Sequence, residues 1–221
     1  MQIRAALITT AFLTFCAYPA RAGMISYEDC YAGLDGDTLV IANSVIERKW
    51  IWNGGNLKAY SLVDGKSGIA IRKESRMPSF HLKGQAFSAN RQIKIYAVEK
   101  DLYAPAHLEV KLVNLYGEIE VKQVFRVFPA TPAISCTYHM KYDQVDFADG
   151  YMEAFSLPTR HWKLKAVSFR DYTDVNDNLV FEKELIPYKV DEPVEGNLLF
   201  ARDLIGGNGF FILKEAPNIS S

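Results

Sequence analysis

Beyond residue 22, apolar and polar positions alternate in short runs separated by turn residues. No long stretch repeats its apolar positions at helical spacing. In residues 107–114, Leu108, Val110 and Leu112 share one face, with Glu109 and Lys111 opposite. In residues 118–128, Ile119, Val121, Phe125 and Val127 share a face, and Glu118, Glu120, Lys122 and Arg126 share the other. A period of two marks strands of a sheet with one buried and one wet face. Gly117 stands at the turn between these two runs.

Turn chemistry separates the remaining runs. Strands are predicted at 38–42 and 45–52, joined at Asn43-Ser44, and at 57–63 after Asn53-Gly54-Gly55. Asp64-Gly65-Lys66-Ser67-Gly68 leads into a strand at 69–71. Asn-Gly and Asp-Gly between apolar runs are strong hairpin signals. Further strands are predicted at 133–142, 162–169, 179–182, 197–202 and 209–213. About a dozen short strands without helices predict an all-β fold, a large antiparallel sandwich of two packed sheets. No internal repeat or low-complexity linker divides it.

The first residues have a different pattern. Met1 to Arg4 is a short basic segment, residues 5–17 are almost wholly apolar or small, and Ala20-Arg21-Ala22 is an A-x-A cleavage signal. That is the anatomy of a secretory signal peptide over 1–22, with Gly23 as the first mature residue. The apolar run is shorter than the roughly 20 residues a spanning helix needs, and Pro19 interrupts it. Export to the periplasm or the medium is the expectation, with no membrane span after cleavage.

Composition changes the picture little. Apolar residues make up 49% of the chain, enough for a substantial core. Without Arg4 and Arg21, 23 basic residues stand against 26 acidic ones, and no basic run stands out. Nucleic acid is therefore not an expected partner. Cys30 and Cys136 remain once Cys16 leaves with the signal. In an oxidising compartment they are compatible with a bridge or with two separate buried thiols. A bridge would close a loop of about 100 residues, worth roughly 4–5 kcal/mol in the chain-entropy model.

Local motifs for chemistry are sparse. His81, His107, His139 and His161 show no metal-binding spacing, and neither H-E-x-x-H nor C-x-x-C occurs. No G-x-S-x-G elbow or Walker A loop is present. Gly206-Gly207-Asn208-Gly209 precedes a strand rather than a helix and reads as a hairpin turn. Residues 171–178 (DYTDVNDN) offer calcium-type oxygens, but Leu179 and Leu185 occupy the positions of the required Gly and Glu, so an acidic turn is the expectation. No metal or cofactor is expected. Trp50, Trp52 and Trp162 could stack on sugar rings, although tryptophan in a sandwich is usually core. A mutarotase-type acid–base pair would have to come from His139 or His161 beside Glu153 or Asp174.

Several segments carry a resemblance. Residues 43–48 (NSVIER) leading to Asn53-Gly54-Gly55 and 57–62 resemble the opening hairpin of family 36 glycoside hydrolases, the α-galactosidase-like enzymes. Residues 76–80 (RMPSF) are similar to a loop of that family with an R-x-P-S core. In the last third, 161–167 (HWKLKAV), 171–174 (DYTD), 178–180 (NLV), 196–200 (GNLLF) and 214–217 (KEAP) resemble secreted bacterial relatives, in that order. The resemblance implies an N-terminal sandwich of galactose-mutarotase-like type, a supersandwich, over 23–217. It implies that 218–221 begins a connector to a (β/α)₈ barrel carrying the catalytic residues, which this chain lacks. The chain itself would then be non-catalytic. Its expected partners are that barrel, a galactoside, and further copies of itself. In the family a loop of this domain can approach the sugar pocket, and 76–80 is the candidate for it, Arg76 by hydrogen bonding and Phe80 by stacking, the alternative being an ordinary surface turn; Trp52 is a sugar-facing candidate by its aromatic type. The alternative is a free-standing carbohydrate-binding module, which requires an exposed aromatic platform.

Overall fold

A computed structural model of the chain describes residues 23–52, 54–68, 70–82, 84–141, 153–157, 161–170, 179–185 and 197–214. The described residues are all β, in antiparallel sheets with no helix and no closed barrel, as a β-sandwich requires. The first sheet is a six-stranded meander in chain order: β1 (Met24–Tyr27), β2 (Cys30–Asp35), β3 (Thr38–Ala42), β4 (Ile46–Ile51), β5 (Lys58–Asp64) and β6 (Ala70–Arg72). The second is a four-stranded meander: β7 (Phe87–Val98), β8 (His107–Tyr116), β9 (Ile119–Val127) and β10 (Ile134–Lys141). The third runs in the order β12 (Leu179–Leu185), β11 (Trp162–Arg170), β13 (Leu198–Asp203) and β14 (Gly209–Leu213).

The alternation in the sequence is the burial pattern in the structure. On β8 the even-numbered residues from Leu108 to Tyr116 face inward, and on β9 the odd-numbered residues from Ile119 to Val127 do so. Their partners across the sandwich are Cys30, Ala32, Leu39, Ile41 and Trp50 of the first sheet. Trp50 is fully buried and meets Phe125 with ring centroids 5.0 Å apart. Truncating a buried aromatic of this kind costs about 3–5 kcal/mol. A second apolar cluster, Phe80, Leu82, Tyr116, Ile119 and Val121, closes the sandwich elsewhere. Trp162 and Ala201 join the third sheet to Ile71 of β6, with Phe155 and Leu157 packed alongside.

The expected strands are present with their ends shifted by up to three residues. Asp64 makes the β5–β6 turn by accepting from the Lys66 and Ser67 amides. Gly207, at a φ of 73°, sits in the turn between β13 and β14, as the glycine run predicted. Strands β1, β2 and β7 are additional to the predicted ones. In β7 the reason is visible: its register slips twice, between Phe87 and Ala89 and between Asn90 and Gln92. Each bulge inserts a residue and breaks the period of two.

Candidate functional site

Asn43 shows how local sequence builds the frame around the site. Its Oδ1 accepts from the Val45 and Ile46 amides at 2.8 and 2.9 Å, forming the β3–β4 turn. Its Nδ2 donates to the Phe128 and Thr131 carbonyls, both at 2.8 Å, and so clasps the β9–β10 loop of the other sheet. Nearby, Asp29 accepts from the Ser44 amide and hydroxyl and from the Ala130 amide. Burial alone would raise the Asp29 pKa, but these hydrogen bonds outweigh it and hold the carboxyl below its ordinary value.

The loop that carries Arg76 is fixed at its base. The Ser75 amide donates to Ala59 O and the Ser79 amide to Leu57 O, each at 2.7 Å. Asn56 Nδ2 donates to Phe80 O at 2.8 Å. Phe80 is 1% exposed, stacked on Tyr138 at 4.9 Å and edge-on to Tyr116 at 5.1 Å. Arg76 and Met77 stand exposed at the tip.

The three residues expected to face a sugar therefore separate. Phe80 is a correction: it is a plug between the sheets, because the loop turns inward after Pro78, and it has no face for a ligand. Trp52 is half-buried against the main core, with Nε1 buried. Trp50 and Trp162 are buried as well, so the exposed platform a carbohydrate-binding module needs is not formed by these rings. Arg76 alone keeps an exposed position.

The two cysteines are also a finding against the bridged reading: both are free thiols. Cys30 Sγ donates to Val127 O at 3.6 Å, while Cys136 lies opposite Phe125 on β9. Desolvation pushes both up to about 12, with neighbouring acidic groups assisting at Cys30. Both are protonated and unreactive at neutral pH.

Sequence reasoning missed a polar layer within the sandwich. Asn90 Nδ2 donates to Asn114 Oδ1 at 2.7 Å, and Asn114 Nδ2 to Gln123 Oε1 at 3.1 Å. Tyr138 lies opposite Gln123, with Cys136 next along β10. From the first sheet, Arg48 reaches Glu153 at 2.7 Å, with its guanidinium 4.6 Å above the Trp50 ring. Burial, then the Cys136 and Glu153 electrostatics, hold the Tyr138 phenol well above its ordinary pKa. The layer thus offers an ion pair, a phenol and a thiol, not a thiolate or phenolate nucleophile.

Neither His139 nor His161 meets Glu153; among the described residues, His107 stands beside a carboxylate, with Nε2 3.8 Å from Glu109. His139 is exposed on the outer face of β10, whereas Glu153 meets Arg48 on the inner side. His161 is exposed. Asp174 and the acidic turn at 171–178 lie outside the described residues, as do 1–22 and 215–221. Among the described residues, no group of three or more His, Cys, Asp or Glu is placed to hold a metal. Comparison with protein-family models, curated proteins and solved structures finds no match to this chain.

Proposed function

We propose that this chain is a non-catalytic β-sandwich domain of an exported α-galactosidase-like glycoside hydrolase. It supports a separate catalytic barrel, and its Arg76 loop forms part of one wall of the sugar site. The observation that carries this reading is the construction of that loop. A tip made only to cover a hairpin needs no buried aromatic plug, and this one has Phe80 beneath it and hydrogen bonds on both sides. Arg76 is thereby held out on a stiff base, so its guanidinium can donate to sugar hydroxyls with little further ordering of the loop backbone. The resembling segments support the same reading: 43–48 spans the β3–β4 turn, 57–62 falls on β5 and 161–167 on β11.

Protein covering residues 23–221 is expected to leave a chromogenic α-galactoside unhydrolysed; turnover by this chain alone would sink the proposal. In the enzyme that includes the barrel, Arg76→Ala is expected to raise KM for the galactoside about tenfold, the loss of roughly one charged hydrogen bond. The melting temperature should be unchanged. An unaltered KM would remove the loop from the sugar site.

A further inference from the structure

We propose that the outer face of the β7–β10 sheet docks an acidic polysaccharide, a role separate from the galactoside reading above. The apolar core takes the even-numbered side chains of β8 and the odd-numbered ones of β9, so the intervening positions lie on the other face, where His107, Glu109 and Val124 are covered by their longer neighbours and the rest are partly or fully exposed. The pairing Lys94↔Lys111 puts two lysines opposite each other on neighbouring strands. Across β8, Glu109 pairs with Arg126 and Val113 with Lys122. Beyond β9, Lys141 stands opposite Glu120. Five cations thus share one face with Glu109 and Glu120, and with Glu118 at its β8–β9 margin, on a chain whose formal net charge is −1.

One of those carboxylates is already committed to ordering the face. Glu109 accepts from the Tyr96 hydroxyl and from Arg126 Nε, the latter at 3.1 Å, and lies 3.7 Å from Lys111 Nζ. Lys111 donates to the Tyr96 hydroxyl at 2.8 Å, and Arg126 to Thr137 Oγ1 at 3.1 Å. Burial would raise the Glu109 pKa, but Tyr96, Arg126 and Lys111 together bring it below the ordinary value, so it stays an anion that anchors cations. Lys94 and Lys141 are exposed around this ordered centre. A flat, multivalent cationic surface with hydroxyls at Thr137 and Ser135 matches a chain of carboxylated sugars. A bilayer fits less well. Membrane-surface elements add apolar side chains to their charge. The exposed apolar pair next to this sheet, Leu102 and Tyr103, is flanked by Glu99 and Asp101, which an anionic membrane repels.

The test is affinity electrophoresis of residues 23–221 through gels containing polygalacturonate or neutral galactan, with cosedimentation on vesicles of phosphatidylglycerol and phosphatidylcholine. The polyuronate should retard the protein, neutral galactan should not, and retention should fall about tenfold between roughly 20 and 200 mM salt. Reversing Lys94, Lys122 and Lys141 to Glu should abolish retardation. Reversing Lys66, Lys163 and Lys183, exposed cations elsewhere with the same change in net charge, should leave it in place. Loss in both variants would mean net charge alone is read. Vesicle binding without polyuronate binding, equal retention on a DNA duplex, or no retention by the native protein would each overturn the assignment.

Discussion

At the scale of single residues, side chains with several partners hold this molecule together more than their types suggest. Asn43-Ser44 reads as a turn in the sequence, and it is one, but nothing local foretells that Asn43 also grips a loop 85 residues away. Asp29 has a similar double attachment, and its effect depends on pH. Its folded pKa lies below the unfolded value, so its contribution is complete above the ordinary aspartate range and is lost as pH falls through the folded value. Asp29→Asn should therefore flatten the acid-side loss of stability between roughly pH 5 and pH 2, measured by denaturant unfolding at a series of pH values. An unchanged slope would mean that other carboxylates carry the acid response. Phe80 makes the complementary point: its type suggested a sugar platform, and only the inward turn of the loop shows it to be a plug.

At the scale of elements, residues 153–157 act as a strap. Glu153 ties one end to Arg48, Lys73 Nζ donates to Leu157 O at 3.1 Å, and Phe155 packs between the main core and Phe210. Removing one ion of a partly buried pair leaves the other uncompensated, whereas removing both does not. Glu153→Met should thus cost roughly 3 kcal/mol, and adding Arg48→Met should recover most of it. Equal, additive losses in a double-mutant cycle would show that the pair is not coupled. Elements were the most legible scale in the sequence. Strands with a clean period of two, such as β8 and β9, could be read directly. Strand β7 could not, because its bulges shift the pattern in mid-strand. The polar layer was invisible because only the register of four strands brings Asn90, Asn114, Gln123 and Tyr138 together, and the strap because it joins Arg48, Lys73 and Phe210 from distant elements.

At the scale of the whole molecule, the third sheet is tied to the sandwich through Ile71, Trp162 and Ala201. Trp162→Ala should lower stability by about 3–5 kcal/mol. Hydrogen exchange should show that loss in β11, β13 and β14 while β8 and β9 keep their protection; equal loss in all five would make the chain one cooperative unit. The cationic face also belongs to this scale. Its lysines and arginine are spread from residue 94 to residue 141, and strand register, not sequence neighbourhood, gathers them. The same geometry has a consequence at the far end of the third sheet. Among the described residues, β14 ends the sheet with the uncharged sequence GFFIL, and Phe211 and Leu213 are exposed beside Phe200 on β13. A short uncharged edge with an oily flank is a template on which another chain can grow. Self-association through this edge should then rise with protein concentration even while the sandwich stays folded.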